Sequence, residues 1–168
     1  LEDTLRVIDI RPGQTLMALS IVVAKGRTVL IADTAVHQLP SAEQLADFAV
    51  QCSSIARQLG HEPRVALLSF SNFGSAPHPL TNKVKRATAL VKAQQPDLIV
   101  EGEMQANVAL DPDLIETQYP FSKLKGDANC LIFPDLQSGN ISYKLLHKLG
   151  GADTVGPILM GMKKPVHV

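Results

Sequence analysis

The stretch Ser69-Phe70-Ser71-Asn72-Phe73-Gly74-Ser75 holds the residue types in this chain best suited to binding an anion. It follows the apolar run Val65-Ala66-Leu67-Leu68 and precedes an amphipathic segment over about residues 80–95. A buried strand entering a Ser/Asn/Gly turn and then a helix places backbone N–H groups and hydroxyls at the carboxyl edge of a sheet. That arrangement suits a phosphate. A second reading is a structural turn whose hydroxyls bond their own backbone. Glu103, Gln105 and Asn140 lie in other polar segments expected to reach the same edge, and Lys144 sits on a helix that could bring its ammonium there. Glu103 and Gln105 also read as cap and loop residues.

The elements that must position these groups alternate strand and helix. Residues 17–24 and 28–32 are apolar runs around a hairpin-like turn at Lys25-Gly26-Arg27. Ser41-Ala42-Glu43-Gln44 is a capping box. Leu45, Phe48, Ala49, Cys52, Ile55, Ala56 and Leu59 then recur at helical spacing until Gly60. Strands are expected at 64–69, 98–100 and 130–133, with a further one possible at 155–160. Helices are expected over about 80–95, through 104–110, from Asp111-Pro112, and over about 139–148 with Ser138 as cap. Residues 101–105 read as a loop.

Strands that are apolar throughout point to a mostly parallel sheet buried on both faces. In such a sheet the ligand crevice lies beyond the carboxyl ends of the strands. Loops at Asp33-Thr34, 69–75, 102–105 and 134–140 should converge there.

The bulk composition narrows the function classes. The chain has 168 residues, 45% apolar and 19% charged, with 16 basic and 16 acidic residues. It has no basic stripe, which argues against nucleic acid or an anionic membrane surface as partner. Its apolar runs are far shorter than the ~18–20 residues of a membrane span. The five histidines show no i,i+4 pair, so no metal site is expected. Cys52 and Cys130 read most simply as buried free thiols, which fits a reducing cytoplasm. Residues 1–16 read as a lead-in segment and 17–168 as one domain. Leu1 at the start and a strand-like end at Pro165-Val166-His167-Val168 suggest a piece of a longer polypeptide.

Several motifs together resemble the phosphotransacetylase (phosphate acetyl/butyryltransferase) family. They include Ile31-Ala32-Asp33, Pro40 to Ala46, Arg64 to Ser71, Pro96-Asp97-Leu98, Glu101 to Ala106 and Lys125 to Asn129. Ile132 to Leu136, Ser138 to Leu145, and Gly156 to Gly161 continued by Lys164-Pro165-Val166 complete the match. The resemblance implies a three-layer α/β/α sandwich, one lobe of a two-lobed, isocitrate dehydrogenase-like, dimeric protein. It assigns Ser69, Ser71, Asn72, Phe73, Gly74, Ser75, Glu103, Gln105, Asn140 and Lys144 to binding of phosphate or acetyl-CoA.

The departures matter as well. Phe73 stands where family transferases carry a Lys, and Asn107 where they carry an Asp. His167-Val168 follow Pro165-Val166 where transferases continue Asn-Asp-Leu-Ser-Arg-Gly. No catalytic residue is therefore assigned within this stretch. Ser-Asn-Phe-Gly, Tyr119-Pro120-Phe121 and the Met-Lys-Lys-Pro-Val-His-Val end are similar to the C-terminal domain of bacterial hybrid NADP-dependent malic enzymes. That resemblance implies an acetyl-CoA-binding regulatory and oligomerising domain without a cofactor of its own. Oxidative decarboxylation of malate to pyruvate would then be carried elsewhere in the same polypeptide. The alternative is an active phosphate acetyltransferase, forming acetyl-CoA and phosphate from acetyl phosphate and CoA.

Overall fold

The computed structural model describes residues 9–163 and 166–167. The first half of the lead-in segment, Lys164-Pro165 and Val168 lie outside the described residues.

The hairpin forms as its sequence predicts. β1 (Met17–Ala24) pairs antiparallel with β2 (Arg27–Ala32), and Lys25 (φ 50°) and Gly26 (φ 73°) make the turn. The Ser41 capping box starts α1 (Ala42–Gln58), with the Ser41 hydroxyl accepting from the Gln44 N–H and the Gln44 side chain accepting from the Ser41 N–H. β3 (Arg64–Leu68) leads through the Ser/Asn/Gly loop into α2 (Pro79–Gln94), with His78 as cap. β4 (Ile99–Met104), α3 (Ala106–Ala109) and α4 (Pro112–Gln118) follow. β5 (Cys130–Ile132), α5 (Leu136–Lys148), β6 (Asp153–Met160) and β7 (Val166–His167) complete the chain.

The sheet order is β4-β3-β5-β2-β1-β6-β7. β4, β3, β5, β2 and β6 run one way, β1 and β7 the other. Strand alternation divides the core. Leu30, Val65 and Leu67 face α1 and α2, where Phe48 and Val84 close the layer. Ile31, Ala66 and Leu68 face the other way, onto Val108, Ile115 and Leu124. Both sheet faces are covered, which is why these strands carry no polar alternation.

Two boundaries differ from the sequence reading. Residues 101–104 are strand rather than loop. Leu67 pairs with Gly102 and Leu68 with Met104, so Glu103 is an extra residue bulged into β4. α5 begins at Leu136, and Asp135 caps it by accepting from the Ser138 N–H; Ser138 is the third helical residue rather than the cap.

Cys52 and Cys130 are fully buried and unlinked. A hydrogen bond with Cys130 and burial hold the Cys52 thiol well above the ordinary thiol range. Ellman's reagent at pH ~8, where an ordinary thiol is largely reactive, is therefore expected to titrate neither cysteine in the native protein and both after denaturation. Rapid native reaction of either would contradict this packing.

Candidate functional site

Residues 69–76 form a closed network around Glu103. The Ser69 N–H donates to the Met104 carbonyl and the Phe73 N–H to the Glu103 carbonyl. Glu103 Oε1 accepts from the Ser71 hydroxyl at 3.0 Å and from the Gly74 N–H. The Asn72 N–H donates to the Ser75 hydroxyl, the Ser75 N–H to the Asn72 carbonyl, and the Ala76 N–H to the Ser71 hydroxyl. Asn72 Oδ1 accepts from the Gln105 N–H at 2.8 Å, and Gln105 Nε2 donates to the Phe70 carbonyl at 2.9 Å.

The structure thus brings Ser71, Asn72, Phe73, Gly74, Ser75, Glu103 and Gln105 together. Every N–H from Asn72 to Ala76 is already donated within the protein. The donors expected to be open to an anion are spent on the protein's own carboxylate, hydroxyls and backbone carbonyls. Gly74 at φ 88° supplies the left-handed turn that closes the network.

The open space at the carboxyl ends of β3 and β5 is a neighbouring crevice of about 340 Å³. Leu39, Phe70, Leu80 and Phe133 give it apolar walls, and Ser69, Lys83, Asp135 and Ser138 supply polar groups. Ser69 is the residue of the expected set that lines it. The Asp33-Thr34 and 134–140 loops do meet, because Asn140 Nδ2 donates to the Thr34 carbonyl at 3.1 Å. That bond holds the loops to each other and leaves Asn140 out of the crevice lining. Lys144 is exposed on α5, 6.0 Å over the neighbouring Tyr143 ring, and does not line the crevice either.

Lys83 is the functional candidate that the sequence reading missed. It projects from the first turns of α2 and donates to the Pro134 carbonyl at 3.0 Å. Burial pushes its pKa below the ordinary lysine value, while the charge of Asp135 acts in the opposite direction. The available signal was positional. A helix that starts at the carboxyl edge of a sheet can point side chains of its first two turns at the crevice. Chemically, the crevice offers an apolar cleft with one ammonium, two hydroxyls and the Asp135 carboxylate, which is engaged as the cap of α5; the ammonium suits an anionic group carried on an apolar body. Among the described residues no cluster of His, Cys, Asp and Glu has metal-site geometry, and no helix is long and apolar enough to cross a membrane.

This architecture is that of the phosphotransacetylases. EutD phosphotransacetylase from Staphylococcus aureus superposes with a TM-score of 0.90 at 37% identity, over 98% of this chain and 51% of that one. The chain belongs to the phosphate acetyl/butaryl transferase family, whose sequence profile matches residues 1–168. It is 44% identical over 168 residues to the NADP-dependent malic enzyme of Rhizobium meliloti (strain 1021), covering 100% of this chain and 22% of the relative. It is 50% identical over 139 residues to the phosphate acetyltransferase of Thermoanaerobacterium thermosaccharolyticum, covering 82% of this chain and 42% of the relative. The chain therefore spans less than half the length of these two curated relatives. The family and fold expected from the motifs are borne out.

Proposed function

We propose that this domain binds an acyl phosphate or acyl-CoA in the crevice at the ends of β3 and β5. It acts there as a regulatory and oligomerising unit, in a dimeric arrangement, of a longer cytoplasmic polypeptide of the NADP-dependent malic enzyme type. Acetyl-CoA is the effector, and the malate chemistry belongs to the rest of that polypeptide. The observation that carries this reading is Lys83, an ammonium set into a largely apolar cleft. Such a site attracts the phosphate of an acyl ligand while the walls receive its apolar part. Binding is favoured over turnover by the resemblance, which puts Phe73 where the family's transferases carry a Lys.

A second reading, an active phosphate acetyltransferase, is favoured by the 50% identity to an enzyme of that name. The two separate in one set of measurements on the full-length polypeptide. Calorimetry with acetyl-CoA, together with malic enzyme activity at rising acetyl-CoA, tests regulation. Coupled assay of acetyl-CoA formation from acetyl phosphate and CoA tests transfer. Saturable binding that changes malic enzyme activity without transfer supports the regulatory reading, whereas turnover of even a few per second would replace it.

Lys83→Met keeps the length of the side chain and removes its charge. It is expected to weaken acetyl-CoA or acetyl phosphate binding by roughly ten- to a hundredfold, the range for one charge-assisted contact. Because the ammonium is the binding form and its pKa is lowered, affinity should fall with rising pH earlier than an ordinary lysine would dictate. Calorimetry across alkaline pH checks both. Unchanged affinity in Lys83→Met would remove this residue from the site.

A further inference from the structure

A second cleft, of about 320 Å³, lies along β4 at the edge of the sheet, on the far side of the Ser/Asn/Gly loop from the crevice. Phe73 and Phe121 form its aromatic wall, with ring centroids 5.0 Å apart, edge to face. Phe121 is 68% exposed although it is a large apolar side chain. Lys85 and Lys123 line the same cleft, and both are exposed without an ion-pair partner among the described residues. Lys92 is different, because it is held by Glu101 at 2.7 Å.

Glu103, also on the wall of this cleft, is 1% exposed. Its Oε1 is saturated by Ser71 and Gly74, but its Oε2 is buried without any hydrogen-bond partner. Because Oε2 is shut off from solvent, a ligand donor reaches it only when the wall beside it moves, and a buried unpaired carboxylate oxygen then gains more from that donor than an exposed acceptor would. The cleft thus combines one acceptor wanting one donor, an exposed ring to stack on, and two free cations.

We propose that this cleft binds an adenine nucleotide. The base stacks on Phe121, its exocyclic amino group donates to Glu103 Oε2, and its phosphate lies between Lys85 and Lys123. A single free oxygen matches the single amino donor of adenine; the paired donors of guanine call for both carboxylate oxygens. The chemistry is shared by free adenosine monophosphate and by the adenosine end of CoA. The proposal is independent of the reading of the crevice, because it rests on different residues.

The test uses calorimetry on the full-length polypeptide with AMP and with purine riboside monophosphate, which lacks the amino group. AMP is expected to bind, and the analogue about tenfold or more weakly. Phe121→Ala, at an exposed position that leaves the core intact, should weaken AMP by about tenfold or more. Glu103→Gln can keep its oxygen on Ser71 and Gly74 while its amide presents a donor to the ligand. It should erase the preference for AMP over inosine monophosphate, which carries an acceptor at that position, with the melting temperature little changed. Lys83→Met should leave AMP affinity intact, which separates this site from the crevice. Competition of CoA with AMP would identify CoA as a source of the adenine, and its absence would identify free nucleotide. No AMP binding at millimolar concentration, or an AMP preference that survives both Phe121→Ala and Glu103→Gln, overturns the proposal.

Discussion

Asp33→Ala is expected to destabilise the domain by ~3–5 kcal/mol, a large share of the 5–15 kcal/mol that holds a typical domain together. Asp33 is 2% exposed. Its Oδ1 accepts from the N–H groups of Ala18, Ala35 and Val36 at 3.0, 3.1 and 3.2 Å, and its Oδ2 from the His37 N–H at 2.7 Å. One carboxylate thereby ends β2, shapes the following turn and ties it to β1. Alanine would leave these donors unpaired, at about 1–3 kcal/mol for each one that stays buried. Water can reach part of the turn, so the full sum is not expected. Asp33→Asn retains one acceptor oxygen and should recover about half of the loss. Urea denaturation of the three proteins measures this directly; a loss below ~1 kcal/mol in the alanine variant would show that the turn is held by other contacts.

Gly102→Ala is expected to cost ~3 kcal/mol or more through overpacking and backbone strain together. A Cβ at residue 102 would meet Thr88 Oγ1 at 2.7 Å, the Leu67 carbonyl oxygen at 2.8 Å and Leu67 Cβ at 2.9 Å, on a backbone with φ +155°. Two of these contacts belong to the paired strand β3 and cannot rotate away. Relief requires β4 to move off β3 or α2 to move off the sheet, and Glu103 would shift with either. Hydrogen exchange should therefore quicken at the amides of residues 72–76 before the core opens. Thr88→Ala in the same chain removes only the flexible contact and should restore little stability. A variant that melts as the parent does, with those amides still protected, would be incompatible with this packing.

The sequence carried the architecture further than it carried the site. The Ser41 box and its helical stripe, the hairpin at Lys25-Gly26, and the continuous apolar runs of β2, β3 and β5 are each set by neighbours along the chain, and each formed where expected. Glu101-Gly102-Glu103 looked like loop because two carboxylates and a glycine rarely suit a central run. In the fold both carboxylates are buried in β4. Glu101 is held by Lys92 and the Lys123 N–H, and Glu103 by Ser71 and Gly74. Those partners are distant in sequence, so no local pattern announces them. Lys83 was missed for the converse reason. A lysine on an amphipathic helix is ordinarily solvated, and only the placement of α2 at the sheet edge turns it toward a crevice. The loops that meet were legible from their composition, but the direction in which their donors point was not.

Glu103 has a further consequence for the loop it fills. Its carboxylate is a tethered competitor for the Gly74 amide and the Ser71 hydroxyl. Even a flexible tether gives an effective concentration in the millimolar range, and a bulged strand residue is held far more rigidly than that. A dissolved phosphate must outcompete a carboxylate that never diffuses away. A phosphate-friendly loop can therefore stand in solutions of millimolar anions and remain selective by being occupied from within. Its affinity for outside anions is governed from residue 103, on a different strand, rather than by the serines that first suggest it.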